Sequence, residues 1–150
     1  MINELDVEAK TGMEIDERVR KLVCVLNGLP GIHTFSSCGG HDNPGPGQAR
    51  LDNFYVCFSI DVMGMHPTKK AWKSVGVITE ATMLGEVDFM QKYGERGCPY
   101  YNLMVCNLFD EIDDDSISML DFEIKGRFGA NPDDLADLIT EVEKGLRMQC

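Results

Sequence analysis

The sequence predicts an α+β protein: a helix-strand-strand unit built twice and closed by a C-terminal helix, its sheet mainly antiparallel with helices on one face. Three observations predict it. Three segments repeat apolar residues at helical spacing, around Val19, Ile78 and Ile139. Four segments between them are rich in β-branched and aromatic residues. These strands come in consecutive pairs with no helix between, which favours antiparallel neighbours. The two units share no residue-level identity, so the repeat is one of architecture. At 150 residues the chain fits one domain, 1–150, with enough length to bury roughly two thirds of its unfolded surface.

Taken in order, residues 1–13 are polar and weakly patterned and are expected to form an arm. Ile15, Val19, Leu22, Val23 and Leu26 lie on one face of a first helix, with Glu14, Asp16 and Glu17 at the positive end of its dipole. Gly28 is the expected left-handed cap, and Leu29-Pro30-Gly31 the turn after it. Residues 32–35 read as a strand delivering the run Ser36-Ser37-Cys38-Gly39-Gly40-His41. Residues 42–53 are too rich in Gly and Pro for regular structure and are expected to form a mobile loop, a lid over the preceding turn.

The clearest strand is 54–61, which Met63, Gly64 and Pro67 then break. Thr68 is the expected N-cap of a second helix whose inner face holds Ala71, Trp72, Val75, Ile78 and Thr82, bent past Gly85 toward Met90. Strands at 100–108 and 117–125 follow, joined by a hairpin whose acidic tip spans 110–115. Asn131 caps the last helix, with Pro132 in its first turn and Leu135, Leu138, Ile139, Val142 and Leu146 as its apolar stripe.

Charge and composition narrow the function. A net charge of −11 repels a long nucleic acid, which is therefore not an expected partner. No apolar run approaches the ~20 residues of a membrane span. The opening residues Met1 to Asp6 lack a secretory pattern. The six cysteines are irregularly spaced, so reduced thiols and a cytoplasmic location are expected. Cys24, Cys57 and Cys106 sit in apolar segments and are expected as small core residues.

The chemically dense stretch is Ser36 to His41, with two hydroxyls, a thiol, two glycines and an imidazole. Adjacent glycines let a ligand approach the main chain, and successive N–H groups can cradle an anion. Ser36, Ser37, Cys38, Gly39, Gly40 and His41 are thus the candidate ligand-binding residues. Arg50, Lys69 and Lys70 are candidate cations, and Trp72 or Tyr101 a candidate stacking surface. For each aromatic the alternative is a place in the core.

The segment from Asp16-Glu17-Arg18-Val19 through Leu26-Asn27, then Pro30-Gly31-Ile32-His33-Thr34-Phe35-Ser36-Ser37-Cys38-Gly39-Gly40, resembles the start of the wybutosine-synthesising tRNA methyltransferase family. Ser36, Ser37, Cys38 and Gly40 coincide with that family's Ser-Ser-Cys-Ser-Gly-Arg loop, while Gly39 stands for its serine and His41 for its arginine. The resemblance covers roughly a fifth of the chain and implies S-adenosylmethionine as cofactor and a tRNA base as substrate. A related pattern resembles uncharacterised small bacterial and phage proteins with a Ser-Cys-x-Gly-His loop; for a phage-borne chain this reading extends to sequestering a host signalling nucleotide.

The leading expectation is a binding module for a small anionic, nucleotide-like ligand, needing no cofactor or metal and open to forming a homo-oligomer. Two chemical alternatives stand beside it. Cys38 or Ser37 as nucleophile, with His41 or His33 as base, would make a hydrolase. Alternatively Cys38 and His41 form half of a zinc pattern that Cys57, His66 or Cys98 would complete.

Overall fold

The computed structural model describes residues 15–64, 66–93, 100–107 and 120–149. The first helix, α1, spans Glu17–Gly28 and buries Val19, Leu22, Val23 and Leu26, the i, i+3, i+4, i+7 spacing of one helical face. Asp16 holds the N-cap position, where its carbonyl takes the Val19 N–H at 3.1 Å, but its side chain makes no cap bond. At the other end Gly28 is the last helical residue, not a left-handed cap. Leu29 follows in extended conformation with its N–H on the Leu26 carbonyl. The left-handed residue is Gly31, at φ 76°.

The strand β1, Ile32–Cys38, takes in Ser36, Ser37 and Cys38, so it runs past the predicted end at Phe35. It pairs antiparallel with β2, Phe54–Ile60, through an irregularity: Thr34 faces Phe58, yet the next pair is Ser36 with Cys57. Phe35 is the inserted residue of a bulge. The pairing with β2, not the strand propensity of two serines, carries β1 to Cys38.

A short ribbon follows β2: β3, Val62–Met63, pairs with β4, His66–Pro67, where the sequence predicted only a break. Thr68 begins α2, Lys69–Tyr93, with its hydroxyl accepting the Ala71 N–H at 3.3 Å. Ala71, Val75, Ile78 and Thr82 are buried as expected, but Trp72 is 60% exposed. It lies one residue, and so about 100°, away from Ala71 around the helix.

The strands β5, Tyr101–Asn107, and β6, Leu120–Gly126, complete an antiparallel sheet ordered β1-β2-β6-β5. The last helix, α3, spans Pro132–Gln149, and the Asn131 side chain accepts the Asp133 N–H at 2.9 Å. It buries Leu135, Ile139 and Val142 but leaves Leu146 exposed. The helix packs against both α1 and α2, which themselves meet the strands. The three thus form one layer on the sheet.

Alternation along β2 divides the sheet's two faces. Phe54, Val56, Phe58 and Ile60 are buried under the helices with Phe122 and Ile124 of β6, while Tyr55, Cys57 and Ser59 look the other way. The result is the predicted α+β arrangement, with the three helices on one face of the sheet. No helix among the described residues is long and apolar enough to cross a membrane.

The cysteine expectations need correction. Cys24 is half-buried and packs against the core as expected, but Cys57 is half-buried on the outward side of its strand, Cys106 is exposed, and Cys38, which the sequence placed in a binding loop, is buried. Cys57 falls on the strand's outward phase, and Cys106 lies at an irregularity near the end of edge strand β5. None of these four is joined in a disulfide. Residues 1–13, Cys98 and the acidic tip at 110–115 lie outside the described residues.

Candidate functional site

At the end of β1 the chain makes a tight turn through Gly39 and Gly40. Gly40 adopts φ 100°, and a Cβ there would lie 2.6 Å from the carbonyl oxygens of Arg50 and Asn53. Only glycine tolerates that backbone and that approach. Arg18, from α1, pins the turn: its guanidinium donates to the carbonyls of Gly39 and Leu51, each at 2.7 Å, and of Asn53 and Ala130, each at 3.3 Å. One cation thereby joins four otherwise distant pieces of backbone.

The amides expected to face an anion are turned inward. The Gly39 N–H donates to Asp16 Oδ2 at 2.8 Å, and the His41 N–H to the Ala49 carbonyl at 2.9 Å. Carbonyl oxygens crowd Gly40, and an anion would be repelled by them. Instead, the turn gathers side chains. His41 Nε2 stands 3.5 Å from Asp16 Oδ2, and ligand atoms of Asp16, Cys38 and His41 all lie within 4.8 Å of one another. The Cys38 sulfur accepts the Ala49 N–H at 3.3 Å.

Beside this turn, over the open face of the sheet, lies a cavity of about 580 Å³. Arg50, Lys125 and Arg127 line it, with Ser36, Asn53 and Tyr55 among the polar groups. Its volume is in the range of small-molecule sites, roughly 300–1,000 Å³. Lys125 pairs with Glu123, also in the lining, at 3.2 Å. Among the described residues neither Arg50 nor Arg127 has a side-chain partner. Segment 42–53 roofs one side, tied down where Tyr55 donates its hydroxyl to the Gly47 carbonyl at 2.7 Å. Cys57, in the cavity wall, has its thiol pushed up to about 12 by burial and by the neighbouring Glu123 carboxylate. It stays protonated at neutral pH and is a poor nucleophile.

Of the residues singled out from sequence, Ser36 and Arg50 meet at this cavity. Ser37, facing Val56, stays in the strand pairing. Cys38, Gly39, Gly40 and His41 form the turn alongside. Lys69 and Trp72 do not join them. Asp61 bonds back to Gly31 and Thr68 to Asp61, so the start of α2 sits at the Ile32 end of β1, the far end from Cys38. Tyr101 is buried rather than a stacking surface, its ring 6.2 Å from that of Phe54 and its hydroxyl donated to the Asn131 carbonyl at 2.8 Å. Burial and the adjacent Tyr100 hold its phenol well above the ordinary range.

The alternatives for a partner to Cys38 resolve similarly. His33 is held by Asp61 at 2.6 Å and His66 lies in the β3-β4 ribbon, both at the far end of the sheet. Cys57 faces Ser36 and its thiol bonds to Glu123. The residue that joins Cys38 and His41 is Asp16, which the sequence suggested only as a favourable charge on the helix dipole. Lys125 and Glu123 were legible only as the outward phase of a strand, and Arg127 as an isolated basic residue. Comparison with protein families, with curated proteins and with solved structures finds no match to this chain.

Proposed function

We propose that the protein is a binding module for a small anionic, nucleotide-like ligand, seated in the cavity between segment 42–53 and the open face of the sheet. The observation that carries this reading is the local inversion of charge. In a chain of net charge −11, Arg50, Lys125 and Arg127 converge on one cavity with a single carboxylate, Glu123, among them. Two guanidinium forks suit a phosphate or carboxylate, which they engage in pairs of parallel hydrogen bonds. Tyr55 and Phe35 line the same space and offer apolar surface for a base or comparable ring. Ser36, Gln48 and Asn53 supply hydrogen bonds to orient it.

Another cavity, of about 440 Å³, runs between α2 and α3 and is lined by Asp88, Asp134, Asp137 and Glu141. Its charge opposes an anion, which favours the cationic site. The lack of a disulfide at the four described cysteines supports a reducing, cytoplasmic setting. Calorimetric titration of the full chain with mononucleotides, cyclic and linear dinucleotides, and pyrophosphate tests the reading. Saturable binding that weakens as salt rises is expected, and silence across the whole panel overturns it.

A further inference from the structure

The turn at Gly40 carries a second chemistry, resting on different residues from the anion cavity and independent of that reading. We propose that Asp16, Cys38 and His41 bind one thiophilic divalent cation, zinc in the first instance, with the remaining coordination position open to solvent. Three observations lead there.

The first is convergence. One oxygen, one sulfur and one nitrogen lie within 4.8 Å of one another. In a proton relay the imidazole stands between thiol and carboxylate, holding those two groups apart by the full width of the ring. Here the thiol and carboxylate are themselves neighbours, the arrangement of ligands around a common centre. The 3.5 Å between His41 Nε2 and Asp16 Oδ2 is long for a hydrogen bond. It matches the edge of a tetrahedron with metal–ligand bonds of about 2.0–2.3 Å.

The second is support from behind. The Gly39 N–H at 2.8 Å orients the Asp16 carboxylate, and the Ala49 N–H at 3.3 Å points at the Cys38 sulfur. Such outer bonds fix the orientation of the ligand atoms. The nearby positive charge of Arg18 is directed to four backbone carbonyls, so it does not occupy the place between the ligands.

The third is how the turn is made. A Cβ on Gly39 would stand 2.9 Å from Arg18 Cβ and 3.2 Å from Asp16 Cβ. Glycine at 39 therefore lets the strand end approach α1 closely enough for Asp16 to reach it, and glycine at 40 returns His41 toward Cys38. A thiolate and an imidazole select zinc or a similar transition metal over magnesium and calcium. Cys38 is buried while His41 and Asp16 keep about a third or more of their side chains exposed, at 35% and 41%. The ion would thus be anchored from the inside and reached from the outside. As the metal–sulfur bond forms, the Cys38 thiol loses its proton to solvent, leaving thiolate and carboxylate to balance the two charges of the ion.

The test uses the full chain, purified under reductant, stripped with a chelator and titrated with Co²⁺ alone, then with Zn²⁺. A thiolate-to-cobalt charge-transfer band that saturates at one equivalent and is discharged by zinc is expected. Cys38→Ser should abolish the band, and Asp16→Asn and His41→Ala should each weaken cobalt binding at least about tenfold. Because Cys38 is buried, circular dichroism accompanies every variant, and His41→Ala decides the matter if Cys38→Ser does not fold. The double variant Arg50→Ala/Arg127→Ala should keep the band even where it loses anion binding, which separates this site from the cavity. Absence of the band in the unmodified chain, or its persistence undiminished in His41→Ala, overturns the proposal.

Discussion

At Gly40 the chain closes on itself until three carbonyls and a guanidinium fill the space. Beside this turn, Arg50 and Arg127 line a cavity, and neither has a side-chain partner among the described residues. The same residue type therefore does opposite work in adjacent places. Arg18 bonds to backbone and holds the turn, whereas Arg50 and Arg127 line the cavity to which the proposed function assigns an anion. If the proposed function holds, stability and binding are separable here, and variants on the two sides of the turn should divide along that line.

The largest effect is expected from Arg18→Ala. It strips a charged donor from the carbonyls of Gly39, Leu51, Asn53 and Ala130, and should lower unfolding free energy by about 3–4 kcal/mol in a denaturant titration. Gly40→Ala follows, at about 2–3 kcal/mol, because its Cβ would meet carbonyl oxygens from a left-handed backbone. A variant that unfolds at the normal denaturant concentration would show that the turn relaxes freely, removing the contrast.

On the binding side, Arg50→Ala/Arg127→Ala should weaken the calorimetrically detected anion about a hundredfold or more, with the unfolding midpoint nearly unchanged. Lys125→Ala should cost less, about tenfold, since Glu123 already neutralises part of its charge. A smaller effect concerns Cys57. Its thiol, ordinarily near 9.0, is raised to about 12 in the folded protein, so the unfolded chain loses that proton first. The associated stability is present below pH 9.0 and falls as pH rises toward 12. At pH 8 alkylation of native Cys57 should be far slower than in urea, as peptide mass spectrometry would register. Equal rates would place the thiol outside the wall of the cavity.

How far the sequence reached depended on how local the determining physics was. α1, β2 and α3 were legible because their own apolar spacing names the buried face: Val19, Leu22, Val23 and Leu26, for instance, all end in the core. The extension of β1 through Ser36, Ser37 and Cys38 was not, because those residues have little strand preference and their state is decided by the partner β2. Trp72 misled because an apolar residue beside a buried one was taken to share its face. The cavity's Lys125 and Arg127 reach Arg50 only through the pairing of β6 with β2, and Asp16 reaches Cys38 only because α1 packs against the end of β1. Chemistry assembled by tertiary contact leaves little trace in neighbouring residues.

The two outer strands of the sheet share a trait. β1 slips register at Phe35 and β5 slips between Val105 and Asn107, so each border of the sheet has a break in its ladder. A foreign strand seeking to extend the sheet needs an unbroken row of backbone donors and acceptors. A bulge twists its strand away from the flat, regular row such pairing requires, so the two described edge strands are poorly suited to open-ended stacking of molecule on molecule.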